Sequence, residues 1–112
     1  MKKPRALLLA MIDMPEEDEA EFNRWCDEEH VPERLACPGF ISCRRFVAKV
    51  GEPKFLTIYE LEGPEALETP EYRSFGRTQS QHSKELHDSW TKLIRNVYVE
   101  IPTAYSPTTP IE

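Results

Sequence analysis

Apolar residues run almost unbroken through "RALLLAMIDM" (5–14). A strand with one wet face alternates, whereas an unbroken run reads as a strand buried on both faces. The next segment, "PEEDEAEFNRWCDEEH" (15–30), changes period: Phe22, Trp25, Cys26 and Glu29 fall on one side at helical spacing and the rest is charged. That is an amphipathic helix with a narrow apolar stripe. Pro15 and the acids behind it are start signals, because the proline ring has no N–H to lose and carboxylates favour the positive end of the dipole. Val31-Pro32 predicts its end, since the residue before a proline is pushed out of the α region. "PERLAC" then forms one more turn before Pro38-Gly39.

The pattern returns to strand in "FISCRRFVA" (40–48) and "FLTIYEL" (55–61), joined by the turn "KVGEPK" with Gly51 free to take positive φ. In the second of these, Leu56 and Ile58 face one side, and Phe55, Thr57, Tyr59 and Leu61 the other. Residues 63–77, with two prolines and two glycines, read as a short broken helix. Residues 78–95 read as a second helix, with His82, Leu86, Trp90, Leu93 and Ile94 near helical spacing. "NVYVEI" (96–101) reads as a last strand, with Val97, Val99 and Ile101 on one face, and 102–112 as an extended C-terminal tail.

The predicted order is β-α-β-β-α-β, the ferredoxin-like split βαβ arrangement, as one α+β domain over 1–101. Two helices cover one face of a four-stranded antiparallel sheet. The first and third strands are nonetheless apolar on both faces, and a soluble monomer rarely leaves such a face open. A two-fold homodimer packed sheet against sheet resolves this.

Composition narrows the function. Of 112 residues, 30% are charged and the net charge is −6, which argues against a nucleic-acid partner and leaves no basic stripe to rescue one. The basic residues before the first apolar run resemble a secretory signal. The run is short, however, and acids follow at once, so a buried strand explains it better. No segment has the length of a membrane span. Cys26, Cys37 and Cys43 are odd in number and match no zinc spacing, which suggests reduced thiols in the cytoplasm and no metal. There is no glycine-rich phosphate loop and no nucleophile elbow, so no nucleotide cofactor is expected.

The segment "WCDEEHVPERLACPGFISCRRF", with "PKFLTIYEL" and "TPEYRSF" after it, resembles the EthD-like branch of the dimeric α/β-barrel superfamily over roughly 5–101. Its most specific part is Trp25 to Pro32, followed by Pro38-Gly39-Phe40. Many relatives carry a tyrosine where this chain has Cys26. The resemblance implies the ferredoxin-like fold, a homodimer, and a pocket between sheet and helices or in the barrel mouth. Relatives range from cofactor-free isomerases, cyclases, decarboxylases and monooxygenases to stress-induced proteins with no known reaction. It also marks His30 as the candidate proton-transfer residue.

The residues themselves give His30 two roles. At the end of its helix, with Asp27 and Glu33 three residues to either side, dipole and acids should raise its pKa and let it hold a proton near neutral pH. A capping histidine in the same place would bond a last-turn carbonyl. Tyr59 is the second catalytic candidate, as donor to a substrate oxygen, or else a residue of the dimer interface. Phe22, Trp25 and Cys26 are candidates for core or pocket wall, and Tyr72 for a lid over the pocket or an anchor of the broken helix. Arg44 and Arg45 point to opposite faces, so one of them points inward or lies along the edge, and an inward arginine needs an anionic partner, a neighbouring glutamate or a substrate carboxylate. His82 and His87, on a polar helix, read as solvated. The expected function is cofactor-independent acid/base chemistry, of isomerase, lyase or decarboxylase type, on a small cyclic or aromatic carbonyl compound. The alternatives are a non-catalytic ligand-binding or stress-responsive dimer and a cofactor-free monooxygenase.

Overall fold

A computed structural model of the chain describes residues 4–75 and 80–106. The strands are β1 (Ala6–Asp13), β2 (Phe40–Val47), β3 (Phe55–Leu61) and β4 (Lys92–Val99). They form one antiparallel sheet in the order β2-β3-β1-β4. Between β1 and β2 run a 3-10 turn (Glu16–Asp18), α1 (Glu19–Trp25), a π turn (Cys26–His30) and α2 (Val31–Leu35). Between β3 and β4 come a 3-10 turn (Pro64–Glu68), α3 (Pro70–Arg73) and α4 (Gln81–Ser89). This is the ferredoxin-like fold, with the helices on one face of the sheet.

The period-2 pattern divides the sheet as expected. Phe55, Thr57, Tyr59 and Leu61 of β3 are buried, together with Ala6, Leu8 and Ile12 of β1. Leu7, Leu9, Met11, Leu56 and Ile58 fall on the other face and are only half-buried. The core beneath the helices has two clusters. One gathers Leu8, Phe40, Tyr59, Leu61 and Ala66, and the other Ile12, Phe22, Trp25, Cys26, Phe55 and Leu86, with Val31 packed against both.

Two expectations about helix ends are corrected. The first helix does not stop at His30: it widens into the π turn and continues through Pro32 to Leu35. A proline ring in a continuous α-helix meets the carbonyl four residues back, and a wider turn just before it relieves that contact. The second helix does not reach 95. It ends at Ser89, Trp90 is extended, and β4 begins at Lys92. Leu93 and Ile94 are strand residues because β1 is eight residues long and pairs along its whole length, from Ala6↔Val99 to Asp13↔Lys92. The tertiary ladder overrides a local helical period. The predicted passage from broken helix to second helix at 76–79, and the tail from 107 on, lie outside the described residues.

Gly51 takes φ +98°, as the turn requires. Gly39 takes φ +89°, and a Cβ there would meet the Ala66 Cβ at 2.7 Å. Pro38-Gly39 thus brings the chain close under the 3-10 turn that follows β3. No helix among the described residues is long and apolar enough to cross a membrane.

Candidate active site

The π turn positions the first candidate. It sets His30 flat against Trp25, with ring centroids 4.4 Å apart and planes at 25°. Trp25 is anchored from its other end, where the buried indole Nε1 donates to Ser83 Oγ on α4 at 2.9 Å. His87, one turn further along α4, meets Trp25 edge-on at 5.7 Å and stacks on Trp90 at 4.2 Å. Two imidazoles and two indoles therefore form one aromatic group between α1 and α4. Tyr59 approaches His30 from the sheet below, edge to face at 6.4 Å.

A cavity of about 190 Å³ opens beside this group, lined by Trp25, Glu29, His30, Glu33, Arg34, Phe75, Ser80 and Ser83. It lies below the ~300–1,000 Å³ of pockets that take drug-sized ligands, so it suits a single-ring molecule. Among the described residues no group of three His, Cys, Asp or Glu side chains is placed to hold a metal ion.

The electrostatics of His30 reverse the expectation of a raised pKa. Burial pushes the imidazole from 6.5 down to about 3, and the Arg34, His87 and Arg45 side chains add to the shift. The helix continues to Leu35, so its negative end is not at His30, and Asp27 and Glu33 are exposed. His30 is neutral and partly buried, and it is not a cap. His87 is likewise pushed down, first by burial and then by Arg34. Its stacking on Trp90 corrects the reading of a solvated side chain, whereas His82 is exposed, near Glu21.

Tyr59 is 2% exposed and points under the helices, so it takes no part in the open sheet face. Its hydroxyl is buried without a hydrogen-bond partner. The Cys43 thiol, opposite it on β2, is close enough to interact with the phenol and perturb both groups. Burial raises the phenol far above its usual pKa, so it is a donor at any ordinary pH.

The other candidates separate. Trp25 lines the cavity. Phe22 sits behind it in the core, against Phe55 and Trp90. Cys26 is buried in the same cluster, its thiol pushed up to about 11 by burial, and is not in the cavity wall. Tyr72 stacks on Phe40 at 5.5 Å, and its hydroxyl accepts from Arg95 at 3.0 Å. Of the two arginines, Arg45 points to the helix side. Its partner is the neutral amide of Asn23 (2.7 Å), not the anion expected, and its guanidinium lies over Phe22. Arg44 lies on the opposite face of the sheet, over Phe46.

Sequence reasoning missed Arg34, Ser83, His87 and Trp90. A signal existed for the last three: Ser83, Leu86, His87 and Trp90 recur at three- and four-residue steps, one stripe of a helix. Arg34 carried no such signal, because the helix was expected to have ended before it.

No family model and no curated protein matches the sequence. Solved structures match its fold. A dimeric ferredoxin-like protein from an uncultured marine organism is 17% identical, with a TM-score of 0.66 over 93% of each chain. An EthD family protein from Bacillus halodurans is 20% identical, with a TM-score of 0.60 over 87% of this chain and 99% of that one. The heme-degrader MhuD from Mycobacterium tuberculosis, with two hemes bound in its active site, is 15% identical, with a TM-score of 0.60 over 88% and 98%. The resemblance to EthD-like proteins thus holds at the level of fold.

Proposed function

We propose that the chain is a cofactor-independent proton-transfer enzyme for a small cyclic or aromatic carbonyl compound. His30 is the base, and Tyr59 the donor to an oxygen. The observation that carries this reading is the neutral imidazole of His30, held flat against Trp25 in the wall of a small aromatic cavity. An imidazole with a pKa of about 3 is a weak base in the empty site. Its weakness comes mainly from burying a lone positive charge, and an enolate formed beside it removes that penalty. The charge pair then exists only as the proton moves, and an interaction present in the transition state but not before it is the kind that accelerates a reaction. The hydroxyl of Tyr59 is protonated and buried beneath His30, outside the cavity lining, so its role requires the substrate oxygen to reach past the imidazole toward the sheet. Heme, which the MhuD neighbour binds, far exceeds this cavity.

The same cavity without proton transfer would be a small-ligand binder. Deuterium uptake from heavy water at the carbon beside a carbonyl separates the two. With a panel of cyclic ketones, lactones and phenols, each with and without a ring carboxylate, exchange above the buffer rate is expected for the parent and not for His30→Ala. An unchanged rate in the variant, or no exchange across the panel, would overturn the reading.

The assembly belongs to the same proposal: a homodimer through the sheet face carrying Leu7, Leu9, Met11, Leu56 and Ile58. Three free cysteines fit a reducing compartment such as the cytoplasm.

A further inference from the structure

We propose that Arg34 anchors the ligand through an anionic oxygen group, so that the cavity selects a single-ring carboxylate over a neutral molecule of the same shape. The inference rests on the reading of this cavity as the active site and names its substrate class.

Arg34 is an arginine prepared but not engaged. Its guanidinium lies over Phe75, 4.0 Å from the ring centroid, and within 5.9 Å of that of Tyr72. Its side chain is only 16% exposed, yet its ion pair is a single 3.8 Å contact to Glu33, whose side chain is largely in solvent. Such a contact is too long for a hydrogen bond and too exposed to contribute much. A guanidinium carries five N–H donors in a rigid fork that matches a carboxylate. Among the described residues, none of the five donates a hydrogen bond. Stacking on Phe75 fixes the plane of the fork, so little rotational freedom remains to be lost on binding.

The neighbouring lining groups lack a competing anion at the inner end. His30 in the lining is neutral, as is His87, which stands beside Trp25 outside the lining, and after burial Arg34 is the charge acting most strongly on both. Ser83 adds a donor: its Oγ accepts from Trp25 Nε1 at 2.9 Å and from Ser80 Oγ at 3.0 Å, which leaves its own O–H for the cavity. The two acids of the lining, Glu29 and Glu33, are more than one-third exposed, and Glu29 is already paired with Arg24 at 3.5 Å. The cavity therefore has an acidic, wet rim and a cationic, donor-rich interior. A carboxylate held by Arg34 and Ser83 would share the cavity with Trp25 and His30.

The test titrates the purified full chain with benzoate and with benzamide, followed by tryptophan fluorescence, since Trp25 is in the cavity wall. Benzoate is expected to bind at least about ten-fold more tightly, as for a charge-assisted bidentate contact. Arg34→Met should abolish the preference and keep the benzamide affinity. Arg34→Lys, which retains the charge but not the fork, should fall between. Equal affinities in the parent, no saturable benzoate signal, or a preference that survives Arg34→Met would each overturn the anchor. The comparison within the parent stands even if a variant fails to fold. Failure of the anchor is also distinct from failure of the enzymatic reading, because deuterium exchange on neutral ketones depends on His30 and not on Arg34.

Discussion

His30 and Trp25 are five residues apart and stack face to face, at 4.4 Å and 25°. In a regular α-helix, residues five apart point about 140° away from each other. The π turn, whose bonds run from i to i+5, brings them onto one side. Its location beside the cavity is where such turns concentrate. The stacking of the imidazole on the indole is a consequence of one local irregularity.

The first prediction concerns pH. Folding lowers the His30 pKa from 6.5 to about 3, so below pH 6.5 the unfolded chain takes up a proton that the folded chain refuses. The contribution is complete above pH 6.5 and is lost as pH falls toward 3, at no more than ~1.4 kcal/mol per pH unit. His87, shifted the same way, steepens the loss. Urea unfolding at pH 7 and pH 5 should show a weaker parent at pH 5 and a shallower dependence in His30→Phe. Equal slopes would contradict the buried, neutral state.

Ser83→Ala tests the strut behind the stack. It strands the Trp25 indole N–H in the core, at a cost of about 1–3 kcal/mol. In a double-mutant cycle with Trp25→Phe, denaturant midpoints should give a clear coupling energy. Strict additivity would show that the hydrogen bond contributes nothing.

Tyr59→Phe distinguishes function from packing. The hydroxyl is buried and unpartnered, so its removal should leave stability unchanged or raise it by up to about 1 kcal/mol. The deuterium-exchange rate should nevertheless fall. A large loss of stability would mean that the phenol has a structural partner.

The two positive-φ glycines should behave differently. Gly51→Ala meets nothing within 4 Å and should cost about 1 kcal/mol from backbone strain alone. Gly39→Ala adds a 2.7 Å clash with Ala66, and its thermal midpoint should fall well below that of Gly51→Ala. Similar midpoints would show that the loop gives way.

Leu9→Glu places a charge in the middle of the open sheet face. Sedimentation velocity should show a dimer for the parent and a monomer for the variant at matched concentration. A monomeric parent would remove the proposed assembly.

The sheet was legible because its signals are local and redundant. Alternation in β3 assigned Tyr59 and Leu56 to opposite faces, and the unbroken β1 implied two apolar ones. The site was less legible because it depends on where helices end. Val31-Pro32 carries a sound stop signal, but a π turn satisfies the same steric demand without stopping, and that hid Arg34. Trp90 to Ile94 keeps a helical period, but eight rungs of pairing with β1 decided its structure. The charge of His30 was misjudged for the same reason: its acids and the dipole were counted, while burial under α4 depends on a contact 58 residues away, between Trp25 and Ser83.

The widened turn also makes the site a matter of residue count. It holds one residue more than a plain helix needs between Trp25 and His30. Without that residue the imidazole would stand four positions after the indole, where an ordinary helix already sets two side chains on one side. The turn thus absorbs an extra residue while the side chains before and after it keep their facing, and the helix runs on to Arg34.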